Sequence, residues 1–208
     1  EKWCKIRLID DQYEGWIDSK QYKKISSSEF QELSQKPPIL TTHLLDVITT
    51  VTNTLLPISI GSNTAISKFL NHSFEGATTS KKLNKPNLTE FAQMYLNSPY
   101  LWGGKTPFGI DCSGLVLIAN MACGQSVLRD SDMQAQSVGE RIETDFTNLQ
   151  RGDLVFWKAH VGIMTDRDHL LHANGNTMNV ALERLDEAIE RIGYLYGPPT
   201  LVRRPEQG

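Results

Sequence analysis

Gly109-Ile110-Asp111-Cys112-Ser113-Gly114-Leu115-Val116 sets a thiol where an apolar run begins, and the reading of this stretch decides the fold. The apolar residues after Cys112 predict a helix that runs to about Ala122 and closes at Gly124, a residue suited to the left-handed end of a helix. A cysteine at a helix N-terminus meets unpaired amides and the positive end of the helix dipole. Its pKa is therefore expected to fall and its thiolate fraction to rise. Gly114 keeps a side chain out of the first turn, where a substrate backbone would need to come close, and Asp111 and Ser113 flank the sulfur with polar groups. Asp111 is also a natural N-cap. The competing reading is a buried structural cysteine, the ordinary state of a lone thiol in an apolar context.

Outward from this helix, Leu88, Phe91, Ala92, Tyr95 and Leu96 fall at helical spacing, with Thr89 in the cap region and Pro99 as the stop. Downstream, residues 153–157, 160–165 and 169–173 read as strands, and residues 192–196 with 201–203 as a further pair. Helices first and an antiparallel sheet afterwards is an α+β arrangement.

His160 lies 48 residues after Cys112, and His172 a further 12 along. If their strands form a hairpin, opposing the two histidines centres the turn at residue 166, inside the turn-prone Thr165-Asp166-Arg167-Asp168. The imidazoles then share one face, with Cβ atoms about 5 Å apart. Alternation puts Val161 and Ile163 towards the core and His160 with Gly162 on the other face, where Gly162 leaves room for something to approach. A thiol, an imidazole and a second imidazole behind it suit nucleophilic catalysis. His160 takes the Cys112 proton or holds the ion pair, and His172 fixes the ring's orientation and tautomer. The same three side chains are chemically able to bind zinc, but the short spacings typical of zinc ligands are absent, so neither metal nor cofactor is expected.

At 208 residues, 39% hydrophobic and 22% charged, the chain has the composition of a soluble protein with one good-sized core and a smaller module. A net charge of −3, with no basic stripe and no aromatic-basic interleaving, gives no footprint for nucleic acid. No apolar run approaches the roughly 18 residues of a membrane span. Three scattered cysteines do not make a disulfide framework. Near the N-terminus, β-like runs at residues 4–8 and 13–17 flank Asp10-Asp11-Gln12. A serine-containing polar stretch with Pro37-Pro38 reads as a linker, and runs at 47–51 and 55–61 form a second β segment ending near Phe74. The expected divisions are 1–36, 37–84 and 85–208.

Five segments carry a resemblance: Pro99-Tyr100-Leu101-Trp102-Gly103-Gly104, the Cys112 stretch, Arg151-Gly152-Asp153-Leu154-Val155-Phe156-Trp157, His160-Val161-Gly162-Ile163 and His172-Ala173. Over about residues 85–208 the chain resembles the NlpC/P60 family of cell-wall cysteine peptidases, which have a papain-like fold. The resemblance implies Cys112 as nucleophile, His160 as base and His172 as the polar third residue. Tyr100 matches the family tyrosine that borders the site and helps stabilise the oxyanion with the Cys112 amide. The upstream β segments resemble bacterial SH3-type modules, the first of them incomplete. This arrangement is similar to the branch of γ-D-glutamyl-L-diamino acid peptidases, which cut murein stem peptides after L-Ala-γ-D-Glu and require a free N-terminal L-Ala. By that resemblance Asp111 pairs with the substrate ammonium, and Tyr100, Trp102 and Ser113 close the small pocket around it. Ser131 carries the γ-D-Glu carboxylate, and Glu14 of the first module helps to bind the amine.

The alternatives are a non-catalytic cell-wall binding protein and an acyltransferase on the same fold. The expected setting is cytoplasmic recycling of wall peptides, with periplasmic or wall-associated action as the alternative if a signal sequence precedes Glu1.

Overall fold

The computed structural model describes residues 2–80, 83, 87–143 and 146–206, and divides into two units, Glu1–Leu83 and Asn84–Gly208. The expected boundary between residues 84 and 85 lies outside the described residues.

The first unit opens with an antiparallel hairpin of β1 (Trp3–Arg7) and β2 (Glu14–Asp18). The stretch read as a linker contains a helix, α1 (Ser27–Ser34). The Ser26 hydroxyl accepts from the Glu29 amide at 3.2 Å while the Glu29 carboxylate accepts from the Ser26 amide at 2.8 Å, a reciprocal cap that starts the helix. After β3 (Leu40–Thr41) come β4 (Leu45–Thr49) and β5 (Leu55–Ser59), which pair across a turn with Asn53 at φ 58°. The segment continues past Phe74 to β6 (Thr78–Thr79), which pairs with β3. The described strands of this unit form three two-stranded sheets and close no barrel.

In the second unit α2 (Leu88–Gln93) is capped by Asn87, whose side chain accepts from the Thr89 amide at 2.9 Å; Thr89 itself is buried. A small hairpin of β7 (Lys105–Thr106) and β8 (Gly109–Ile110) leads into α3 (Cys112–Ala122), which ends before Gly124 at φ 81° as its sequence predicts. There follow α4 (Ser131–Ser137), β9 (Glu140–Ile142), β10 (Leu154–Trp157), β11 (His160–Met164), β12 (His169–Asn174), β13 (Asn179–Arg184), α5 (Leu185–Tyr196) and β14 (Leu201–Arg204). Six strands form one antiparallel sheet in the order β13-β12-β11-β10-β14-β9. Helix α3 packs against β11 and β12.

Residues 192–196 are the last turns of α5 and not a strand. Leu185, Ala188 and Ile192 bury at helical spacing against Val155, Trp157, Met164, Leu170 and Val202, whereas Tyr194, Leu195 and Tyr196 are exposed. The strand missed by sequence reading is β13, whose outer positions Leu182 and Arg184 are exposed beside its partner β12. Strand β14 pairs with β10 and β9.

The β11–β12 register also departs from expectation. Ile163 opposes Leu171 and Met164 opposes Leu170, which centres the hairpin on Arg167. Asp166 sets this longer turn by accepting from the amides of Asp168 at 2.8 Å and His169 at 2.9 Å. His160 and His172 are therefore diagonal and not directly opposed, but a displacement by two positions preserves their shared face. Gly162 leaves no open space: a Cβ there would lie 2.7 Å from Leu170 Cγ, so the core side chain occupies the room the glycine frees. Gly162→Ala is expected to cost about 1–3 kcal/mol through overpacking. Urea denaturation measures it, and an unchanged midpoint would contradict this packing.

Candidate active site

Asp111 is the N-cap of α3 and holds the Cys112 turn in place. Its Oδ1 accepts from the Gly114 amide at 2.7 Å and from Arg129 Nη1 at 3.0 Å. Its Oδ2 accepts from the Gly103 amide at 2.7 Å and from Arg129 Nη2 at 2.7 Å. Arg129 Nη1 also donates to the Ser113 hydroxyl at 2.8 Å, and all three side chains are buried. Arg129 stands two residues before Ser131, yet its role is invisible in the local sequence because its partners lie 16 and 18 residues earlier. Gly114 serves packing here and not substrate approach, since a Cβ on it would lie 2.4 Å from the Gly104 carbonyl oxygen.

The thiol does not behave as helix position alone predicts. Burial pushes the Cys112 thiol up to about 11, and the Asp111 charge adds to this; the backbone N–H groups of Val161 and Ser113 and the Arg129 charge oppose it. Contact with the Val161 amide puts the sulfur at the start of β11, one residue from His160. Desolvation pushes the His160 ring down to about 3, helped by His172 and Arg191 and opposed by Glu183. The residue as a whole is half-buried. Both shifts favour the uncharged thiol and imidazole over an ion pair.

His160 Nε2 lies 2.7 Å from His172 Nδ1, in an edge-on arrangement of the two rings. Behind them is a residue that the sequence reading passes over. Glu183 Oε1 is 2.6 Å from His172 Nε2, a close contact that lies off the line of a regular ring hydrogen bond, and Arg191 binds the same carboxylate oxygen. His160, His172 and Glu183 descend diagonally across β11, β12 and β13. Burial alone would raise the Glu183 carboxyl, but His172 and Arg191 outweigh it and hold the group below the usual range.

The other expected site residues divide clearly. Tyr100 is half-buried, and its hydroxyl is held protonated first by burial and then by the charges of Cys112, Asp111 and Tyr196, which places it at the thiol's corner. Trp102 is 80% exposed, so it is available to a ligand and not part of the packing. Ser131 is the half-buried first residue of α4. Glu14 belongs to the first unit, exposed on β2, where Lys5 and Arg7 each approach its carboxylate at 2.7 Å and hold its pKa at about 2. Among the described residues no cluster of three or more His, Cys, Asp or Glu side chains is arranged to hold a metal ion. None of the described helices is long and apolar enough to cross a membrane.

Two outcomes are expected from this geometry. Alkylation of Cys112 by iodoacetamide should be slow at neutral pH and rise about tenfold per pH unit towards pH 11, because only the thiolate reacts; a plateau near pH 6 would reveal a preformed ion pair. Arg129→Met should destabilise the protein by about 3–5 kcal/mol in urea unfolding, since it strands the buried Asp111 charge.

Residues 97–192 match the NlpC/P60 family. A dipeptidyl-peptidase 6 from Lysinibacillus sphaericus is 29% identical over 197 residues, covering 86% of this chain and 70% of that protein. A γ-D-glutamyl-L-lysine dipeptidyl-peptidase from Bacillus subtilis is 28% identical over 130 residues, covering 59% of this chain but only 43% of its own length. The crystal structure of an NlpC/P60 family protein from Bacillus cereus shares the fold, with a TM-score of 0.76 over 98% of this chain and 76% of that chain at 20% identity. Cys112, both imidazoles, Glu183 and Arg191 all fall within residues 97–192, the segment that matches the NlpC/P60 family.

Proposed function

We propose that this protein is a cysteine peptidase that hydrolyses the γ-D-glutamyl bond to the diamino acid in murein stem peptides, releasing L-Ala-γ-D-Glu from peptides with a free N-terminal L-Ala. The observation that carries the chemistry is the 2.7 Å contact between His160 and His172 at the strand start where the Cys112 sulfur meets the Val161 amide. With Nε2 of His160 engaged by His172, Nδ1 is the ring nitrogen that faces the thiol. As the sulfur attacks the scissile carbonyl carbon, its proton passes to Nδ1, so the nucleophile is activated at the moment of attack. The Cys112 backbone N–H and the neutral Tyr100 hydroxyl stabilise the oxyanion. The imidazolium then gives its proton to the leaving amine, the C–N bond breaks and a thioester remains. Water, deprotonated by His160, attacks the thioester and frees the dipeptide and the thiol.

The choice of substrate is supported by the names of the two peptidases from Lysinibacillus sphaericus and Bacillus subtilis. In this reading the L-Ala ammonium lies at the Tyr100 corner, where the negative charge of Asp111 is felt although Arg129 shares it. Trp102 covers that corner. Ser113, held by Arg129 Nη1, lines the ammonium pocket, and Ser131 takes the γ-D-Glu carboxylate. Glu14 stands in the first unit with its carboxylate paired to Lys5 and Arg7, and the mechanism does not depend on it. An SH3-type character of the first unit is part of the proposal and rests on the sequence resemblance. Demand for a free amine fits peptides already released from the wall, hence recycling in the cytoplasm.

Mass spectrometry of L-Ala-γ-D-Glu-diamino acid beside its N-acetylated form tests this directly. Release of L-Ala-γ-D-Glu from the free peptide alone is expected, with the rate lowered at least roughly a thousandfold in Cys112→Ala. Cleavage of both peptides would remove the amine-reading pocket, and cleavage of neither would favour a wall-binding protein or an acyltransferase.

A further inference from the structure

We propose that Glu183, restrained by Arg191, is a positioning residue that sets the tautomer of the His172–His160 pair so that His160 presents a bare Nδ1 to the thiol. This inference rests on the reading of Cys112 and His160 as nucleophile and base, and adds the device that makes His160 a base.

Two imidazoles in edge-on contact that share one proton between them can order their protons in either of two directions. In one, His172 carries its proton on Nε2, accepts at Nδ1 from His160 Nε2–H, and leaves His160 Nδ1 with a lone pair. In the other, His172 Nδ1–H donates to His160 Nε2, and His160 then points an N–H at the sulfur and cannot accept its proton. The buried contact at His172 Nε2 decides between them. The Glu183 carboxylate, 2.6 Å away, accepts and cannot donate while ionised. This nitrogen makes no regular hydrogen bond among the described residues, so the close Glu183 charge is what acts on it, and the His172 side chain is fully buried, so no solvent competes. A proton on Nε2 is therefore favoured, and the whole pair follows. Arg191 binds the same carboxylate oxygen, which keeps Glu183 ionised and limits its own basicity. When His160 becomes an imidazolium, the Glu183 charge balances it through His172 without Glu183 taking the proton.

The test is ¹⁵N-histidine NMR beside steady-state kinetics on the wild type, Glu183→Ala and Glu183→Gln. In the wild type both rings should carry the proton on Nε2. Glu183→Ala should shift His172 and His160 to, or towards, the Nδ1–H form and lower kcat by roughly a hundredfold with KM little changed. Glu183→Gln keeps a carbonyl oxygen facing two donors, so it should retain the Nε2–H tautomers and recover part of kcat, and it serves where the alanine variant fails to fold. Wild-type tautomers persisting in Glu183→Ala, or Nδ1–H on His172 in the wild type, would overturn the proposal. The NMR readout needs no turnover, so a wild type that hydrolyses no peptide would defeat the peptidase reading and leave this one to be judged on its tautomers.

Discussion

The position of the Cys112 thiol depends on one buried carboxylate. Asp111 ties together the Gly103 amide before the β7–β8 hairpin, the Gly114 amide in the first turn of α3, and the Arg129 guanidinium beyond its end. Three separate stretches of chain are thereby fixed around Cys112. The guanidinium is what makes this burial tolerable, because an uncompensated carboxylate in that place would be costly. The same pair has an electrostatic side effect: Asp111 disfavours a thiolate beside it, and Arg129 returns only part of that loss.

This explains why the state of the thiol was misread from sequence. A helix terminus stabilises a charge by about 0.3–1 kcal/mol at an exposed position. Withdrawing an ion from water costs several kcal/mol, so burial wins wherever both act. The enzyme-like consequence is a thiol that is protected at rest and depends on an adjacent base. In the proposed mechanism, that shifts the burden from the helix to the imidazole pair and to whatever orders its protons.

Much of this was legible locally. The Cys112 helix and its glycine end follow from an apolar run and one turn residue, and the strands carrying His160 and His172 follow from alternation. The register was not legible, because Asp166 accepts two amides and lengthens the turn, a choice that a cluster of turn-prone residues leaves open. Residues 192–196 look strand-like by composition, yet their exposed aromatics follow a helical stripe that begins at Leu185. Glu183 and Arg129 escaped because each gains its meaning from a partner on another element. In the first unit, α1 hid in a polar stretch whose Ser26–Glu29 capping pair was the available signal.

Strand β14 lies inside the sheet although it comes last among the described elements. It bridges β10 and β9, with Val202 opposing both Val155 and Ile142. Strands β9 and β10 therefore share no hydrogen bond with each other, and without residues 201–204 one edge of β10 would be unpaired. Trp157 and His160 are paired on the far side of that same strand. The strand that carries Trp157 beside His160 therefore depends for its second edge on the four residues 201–204, which lie more than forty residues further along the chain.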